Sequence, residues 1–293
     1  MIDIAIFLAV PAAALGMLGA CASLVGMQLN LRRREMFADG LVHAIFPAIV
    51  IGFAFAGVNG TYIGAAIGAV FATIALTLIE LSSIRPGAGL AVIFTGLFGL
   101  GVVLVSGIRG FTGGLEHVLV GHVLTATTND LAIVTVLGVL TLILLGCTWR
   151  AQTFLSFDAD GARAAGHRVI ALDLILNIAI ALIVVAGVRI VGNLLVVALL
   201  LVPPVIGRLV SRDSRVATVT AVLAGGLLPV AGLGLATIAS VEWNLHVSPA
   251  ASCVLVLLIG YLVAVSGRAI ADGGTRSRPR TARAKRAKEE QHA

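Results

Sequence analysis

The chain has 293 residues, of which 59% are hydrophobic and 12% charged, with a net charge of +6, whereas a soluble domain ordinarily carries roughly 25% charged residues. A globule of this size needs a polar skin to meet water, so soluble enzymes, nucleic-acid readers and disulfide-stapled secreted domains are excluded and the solvent is a bilayer. The positive charge is concentrated, with eight of the twenty Lys and Arg residues between Arg268 and Lys288.

Crossing about 30 Å of hydrocarbon takes roughly 17 to 25 apolar residues. In chain order, such runs lie near 4–28, 38–57, 61–81, 89–107, 131–148, 169–188, 190–207, 216–238 and 247–267. They do not alternate in polarity as barrel strands do, so the expected fold is an all-α integral membrane protein, a polytopic bundle of eight or nine transmembrane helices. The 34 glycines suit close approach of such helices. The first run is too long for a signal-peptide core, has no basic residue before it and is followed by Arg32, Arg33 and Arg34, so it reads as a retained span. The boundary that decides the count lies between Gly187 and Gly192, where spans six and seven are two helices or one long broken helix. Nine is the working count and eight the alternative. Residues 1–268 then form the membrane domain, and 269–293 a basic, disordered tail beside anionic lipid headgroups.

Short connections rich in Lys and Arg face the cytoplasm. With nine spans, eighteen of the twenty basic residues fall on one side, and only Arg109 and Arg189 on the other. The first span then enters from outside and the last ends in the cytoplasm.

An ionisable residue inside a span is costly and therefore a functional candidate. Asp39 and His43 stand four apart at the start of span two, which puts both on one helix face. A carboxylate and an imidazole supply half of a first-row divalent metal site, and a two-fold partner copy supplies the other half. The alternative is an Asp–His hydrogen bond stapling the helix. Pro47, one turn later, and Pro203-Pro204 in span seven are candidate kinks. Glu116, His117 and His122 lie on the outer connection 108–130 as candidate outer-gate contacts, and Glu242 with His246 repeats the four-residue spacing. Cys21, Cys147 and Cys253 read as small buried hydrophobes, without disulfide or zinc spacing. On the cytoplasmic side, Asp158 and Asp160 precede an Ala-rich stretch ended by Gly166, which predicts a brief helix suited to docking. There is no GxxxxGK[ST] loop and no recognisable nucleophile motif, so neither ATP hydrolysis nor other catalysis is expected of this chain.

Four phrases in order resemble the permease subunits of the zinc-, manganese- and iron-type ABC importers. They are Leu31-Arg32-Arg33 followed by Asp39-Gly40-Leu41-Val42-His43-Ala44 and Pro47; Phe94-Thr95-Gly96-Leu97-Phe98-Gly99-Leu100-Gly101; Phe157, Asp158, Ala162, Arg163, Ala164 and Gly166; and Val191-Gly192-Asn193-Leu194 continuing to Leu200. The resemblance implies a bacterial plasma-membrane permease, paired with a second copy and coupled to a separate ABC ATPase. It implies as well an extracytoplasmic metal-binding protein that delivers the ion. No cofactor is resident, and the divalent ion is a transient cargo at Asp39 and His43. Phe157, Asp158, Ala162, Arg163 and Gly166 become the coupling helix that meets the ATPase. Gly40, Val42, His122 and Pro204-Val205-Ile206-Gly207 depart from the family pattern and leave the cargo open among zinc, manganese and iron. The rival readings are a vitamin B12- or siderophore-class importer permease and a standalone secondary transporter.

Overall fold

The computed structural model describes residues 2–80, 86–107, 121–244 and 247–276, and it is helical. Its helices are α1 (Ile2–Arg32), α2 (Glu35–Ala44), α3 (Phe46–Glu80), α4 (Pro86–Gly107), α5 (Thr128–Phe157), α6 (Ala159–Ala164), α7 (Val169–Val210), α8 (Ser214–Glu242) and α9 (Pro249–Arg276), with a short 3-10 turn at Val123–Thr125. Among the described residues, seven helical segments are long and apolar enough to cross a membrane, and Phe94–Gly107 is a shorter apolar one.

Two of these elements double back. At 42 residues, α7 would be about 63 Å long if straight, twice the hydrocarbon thickness. It is broken at Gly192, where φ is 73° and ψ 170°, a combination open in practice only to glycine. A methyl group on Gly187 would lie 2.6 Å from Cγ2 of Val196, although nine residues of continuous helix would separate them by about 13 Å. Asp173 near the start of α7 and Arg208 near its end both bond to the end of α1, at Arg32 and Asn30. Among the described residues, spans six and seven are therefore two helices joined at Gly192, as the nine-span reading expects. The prolines in span seven, Pro203 and Pro204, leave no break; the glycine makes it.

The same device divides α3 at Ala56 and Gly57. Beyond the bend the two arms touch backbone to backbone, and a side chain on Gly52 or Gly60 would overlap the other's carbonyl oxygen. Small residues are needed there because lipid supplies no hydrophobic drive and van der Waals contact must hold the arms together.

The core surrounds α1, which packs against α5, α7 and α8. Leu15, Leu18, Ala22, Val25 and Leu29 of α1 and Ile183, Val184, Leu195 and Leu199 of α7 are fully or almost fully buried. Large apolar side chains such as Phe71, Val103, Leu227 and Val263 project outward, as the lipid-facing side of a bundle requires. Cys21 and Cys253 are buried as expected, but Cys147 is exposed, because its face of α5 points away from the core. Helix α9 continues to Arg276, past the expected end of the membrane domain at 268, and residues 277–293 lie outside the described ones.

Candidate functional site

Charge is sorted to the two ends of the bundle. At one end Arg32 donates to Asp173 at 2.6 Å and also to Gln152, while Arg34 donates to the other Asp173 oxygen at 3.0 Å. Gln152 in turn donates to the Leu172 carbonyl at 2.9 Å. Arg208 reaches Asn30 at 2.6 Å, and Arg268 donates to the carbonyl of Arg208 at 3.2 Å. Arginines that the sequence assigns to three separate connections thus meet on one face. Arg189 is at the opposite end, 3.0 Å from Asp130. Arg85 and Arg109 lie outside the described residues.

Asp39 and His43 are both on α2, which leaves the arginine-rich face at Arg34. At about 1.5 Å of rise per residue, they stand roughly 7 and 13 Å from that face. His43 Nε2 lies 3.6 Å from Asp39 Oδ1. This is too long for the stapling hydrogen bond, but it is close to the spacing of roughly 3.4 Å between two ligands that each sit about 2.1 Å from one tetrahedral ion. The imidazole is held edge-on by Phe94, at 4.9 Å between ring centroids, and Phe98, at 5.2 Å. Its Nδ1 is buried without a hydrogen-bond partner. Helix α2 stops at Ala44 and α3 starts at Phe46, because Pro47 has no N–H for the carbonyl of His43. No cluster of three or more His, Cys, Asp or Glu able to hold a metal occurs among the described residues. The chain thus presents an imidazole–carboxylate pair and no third such side chain beside it among the described residues.

The brief helix predicted after Phe157 is α6, Ala159–Ala164. Asp158 is its N-cap, accepting from the Gly161 N–H at 2.8 Å. Its end is closed by a 3.0 Å bond from the His167 N–H to the Ala162 carbonyl, with Gly166 at φ 83°. Ala162 is fully buried, whereas the Phe157 side chain projects and Arg163 projects beside Asp160, 2.9 Å away. The five predicted docking residues therefore divide by task. Asp158, Ala162 and Gly166 shape and seat the helix, and Phe157 and Arg163 form its outer surface.

Of the three candidate outer contacts, Glu116 and His117 lie outside the described residues, as does His246. His122 is exposed, and its backbone N–H bonds to the Ile190 carbonyl at 2.9 Å, beside the Gly192 reversal. It lines a cavity of about 220 Å³ with Thr125, Asp130 and Arg189. Asp130 is 2% exposed and collects a 2.8 Å bond from the Tyr62 hydroxyl and two from Thr127. The Arg189 guanidinium lies 5.0 Å over the Tyr62 ring. Asp130, Tyr62 and Asp173 are the functional candidates that the sequence reading missed. The signals were present: Thr127 and Asp130 have capping-box spacing, and Asp173 is a carboxylate just inside an apolar run.

This geometry has relatives. The chain is 28% identical over 242 residues, 82% of each sequence, to the manganese transport system membrane protein MntC of Halalkalibacterium halodurans. It is 30% identical over 223 residues to the zinc transport system membrane protein TroC of Treponema pallidum, covering 73% of this chain and 75% of that one. The fold matches a chain in the structure of PsaBC from Streptococcus pneumoniae in complex with Fab, with a TM-score of 0.77 and 24% identity over 90% of this chain and 95% of that one. The profile described as the ABC 3 transport family matches residues 5–268, and this multi-pass membrane chain belongs to that family of transport subunits.

Proposed function

We propose that this chain is the membrane permease of a binding-protein-dependent ABC importer for a divalent transition-metal ion, with Asp39 and His43 as a transient cargo site. The observation that carries the reading is the 3.6 Å Asp39–His43 pair, set on a helix broken just beyond it and braced by Phe94 and Phe98. Family membership supports transport, and the names of the manganese and zinc relatives support the cargo class. Neither rival reading draws support from these relatives.

Two ligands per protomer hold an ion weakly, and a second copy across a two-fold axis completes four. Weak holding suits transport, because a tight cage would trap its cargo. The arginine-rich face is cytoplasmic by the positive-inside rule, and α6, on that face, meets a separate ATPase subunit. An extracytoplasmic metal-binding protein delivers the ion to the opposite face in a bacterial plasma membrane.

The deciding experiment reconstitutes the chain with its ATPase and binding protein in liposomes and follows uptake of zinc, manganese and iron. Asp39→Ala and His43→Ala should each cut uptake at least tenfold for the cargo ion while the ATPase still copurifies. Undiminished uptake in both variants would remove the metal-site assignment.

A further inference from the structure

A cavity of about 560 Å³ lies where the end of α1, the end of α5, α6 and both ends of α7 converge. Five of its lining residues are the arginines Arg32, Arg33, Arg34, Arg163 and Arg208, against one carboxylate, that of Asp173. Asp173 is already shared between Arg32 and Arg34. Arg208 rests on the neutral Asn30, and the partner of Arg163 is Asp160, a carboxylate almost wholly in water. Cations gathered around one cavity repel each other, and a bound anion relieves that repulsion.

The backbone adds a second observation. Arg33 follows the last residue of α1 with φ at 56°, the left-handed position that glycine usually takes after a helix. An arginine here gives up that conformational ease, and Arg33, exposed at this position, lines the cavity. The planar fork of arginine matches the oxygens of a phosphate group.

The cavity is not lined by charge alone. Leu31, Leu155, Phe157 and Val169 share its wall, Phe157 is 73% exposed, and Ile170, next to Val169, is 63% exposed. A cationic seat with an apolar flank at the end of membrane-spanning helices suits an amphiphile, and basic pockets between such helices take the headgroups of anionic lipids. We propose that this cavity binds the phosphodiester headgroup of an anionic phospholipid, with its acyl chains against Phe157 and Ile170. A free phosphate would satisfy the arginines but leave the apolar flank unused. The bound lipid would join the end of α1, the α6 helix and the two ends of α7, and the inference does not depend on what the protein carries.

The test uses the full-length protein, purified in detergent, stripped of lipid and titrated with phosphatidylglycerol or phosphatidylcholine. Native mass spectrometry counts the retained lipid, and the thermal midpoint follows binding. Phosphatidylglycerol should bind at least tenfold more tightly than phosphatidylcholine, and 10 mM inorganic phosphate, roughly a thousandfold excess over protein, should not displace it. Arg33→Gln combined with Arg208→Gln should abolish the preference, whereas Arg150→Gln combined with Arg215→Gln, both exposed and outside the cavity, should keep it. If the first pair does not yield folded protein, Arg33→Gln alone, at an exposed position, should weaken phosphatidylglycerol binding at least threefold. Equal affinity for the two lipids, an unchanged preference in the Arg33 variants, or displacement by inorganic phosphate each overturns the proposal. Loss of ATPase recruitment in those variants, with no lipid preference in the wild type, would assign the arginines to a protein contact and overturn it equally.

Discussion

Asp130 Oδ1 and Arg189 Nη1 are 3.0 Å apart, which ties the first turn of α5 to the chain just before the Gly192 reversal. The carboxylate side chain is 3% exposed and the guanidinium 23%, so removing either partner leaves the other's charge uncompensated in a poorly solvated place, although Asp130 keeps its bonds from Tyr62 and Thr127. Breaking a fully buried pair costs about 3–5 kcal/mol; with Arg189 partly wet, Asp130→Ala and Arg189→Ala should each cost about 2–3 kcal/mol. The double variant should cost much less than the sum of the two. Thermal unfolding of the four proteins of this cycle, purified in one detergent, measures the coupling.

Gly192 should tolerate no side chain. Its backbone region costs other residues about 1–3 kcal/mol, and Gly121 packs directly against its N–H and the preceding carbonyl carbon. Gly192→Val is expected to lower the yield of monodisperse protein severalfold, while Pro203→Ala, at a site with no backbone break, should affect it far less. Size-exclusion chromatography of a fluorescently tagged chain reports both.

The aromatic brace around His43 predicts a graded effect on transport. Phe94→Leu and Phe98→Leu keep the apolar volume but release the imidazole from its edge-on contacts. Groups that orient a metal ligand typically contribute about 10–100-fold in affinity, and each of these variants should raise the half-saturating ion concentration about tenfold. Uptake curves against ion concentration would show this, with the maximal rate changing less than the half-saturation point.

The α6 helix separates shape from contact. Asp158→Ala removes the N-cap, at about 1 kcal/mol, and should weaken ATPase copurification by fraying the helix, whereas Asp158→Asn keeps an acceptor for Gly161 and should restore it. Phe157→Ala and Arg163→Glu alter the outer surface; they should weaken copurification about tenfold with no change in the thermal midpoint of the lipid-stripped protein. Equal recruitment by all four variants would show that α6 is not the docking element.

Sidedness is directly measurable. Ser211 follows α7 at the arginine-rich face and Thr125 sits in the short turn near the opposite one. In a background lacking the three native cysteines, Thr125→Cys should react with a membrane-impermeant maleimide in intact cells, and Ser211→Cys only after lysis. The reverse pattern would invert the proposed orientation.

Much of this protein is legible along the chain because the bilayer imposes a local rule: each crossing must be a long apolar run, and each cationic connection must stay on its side. Span positions, the sorting of arginines, the α6 helix between Asp158 and Gly166 and the i,i+4 relation of Asp39 and His43 all follow from composition and helical spacing. The physical reason is that these features depend on residues no more than a few turns apart. Other features required the tertiary structure. Gly192 turns the chain back because both ends of α7 are bonded to α1, at Arg32 and Asn30, and no local pattern distinguishes that reversal from a kink. Asp173 meets an arginine 141 residues away, and Asp130 a tyrosine 68 away. Cys147 is exposed while Cys21 and Cys253 are buried, since hydrophobicity places a residue in the membrane without saying whether it faces protein or lipid. The apolar sequence decided where the helices cross, and packing between distant small, polar and charged residues decided how they are arranged.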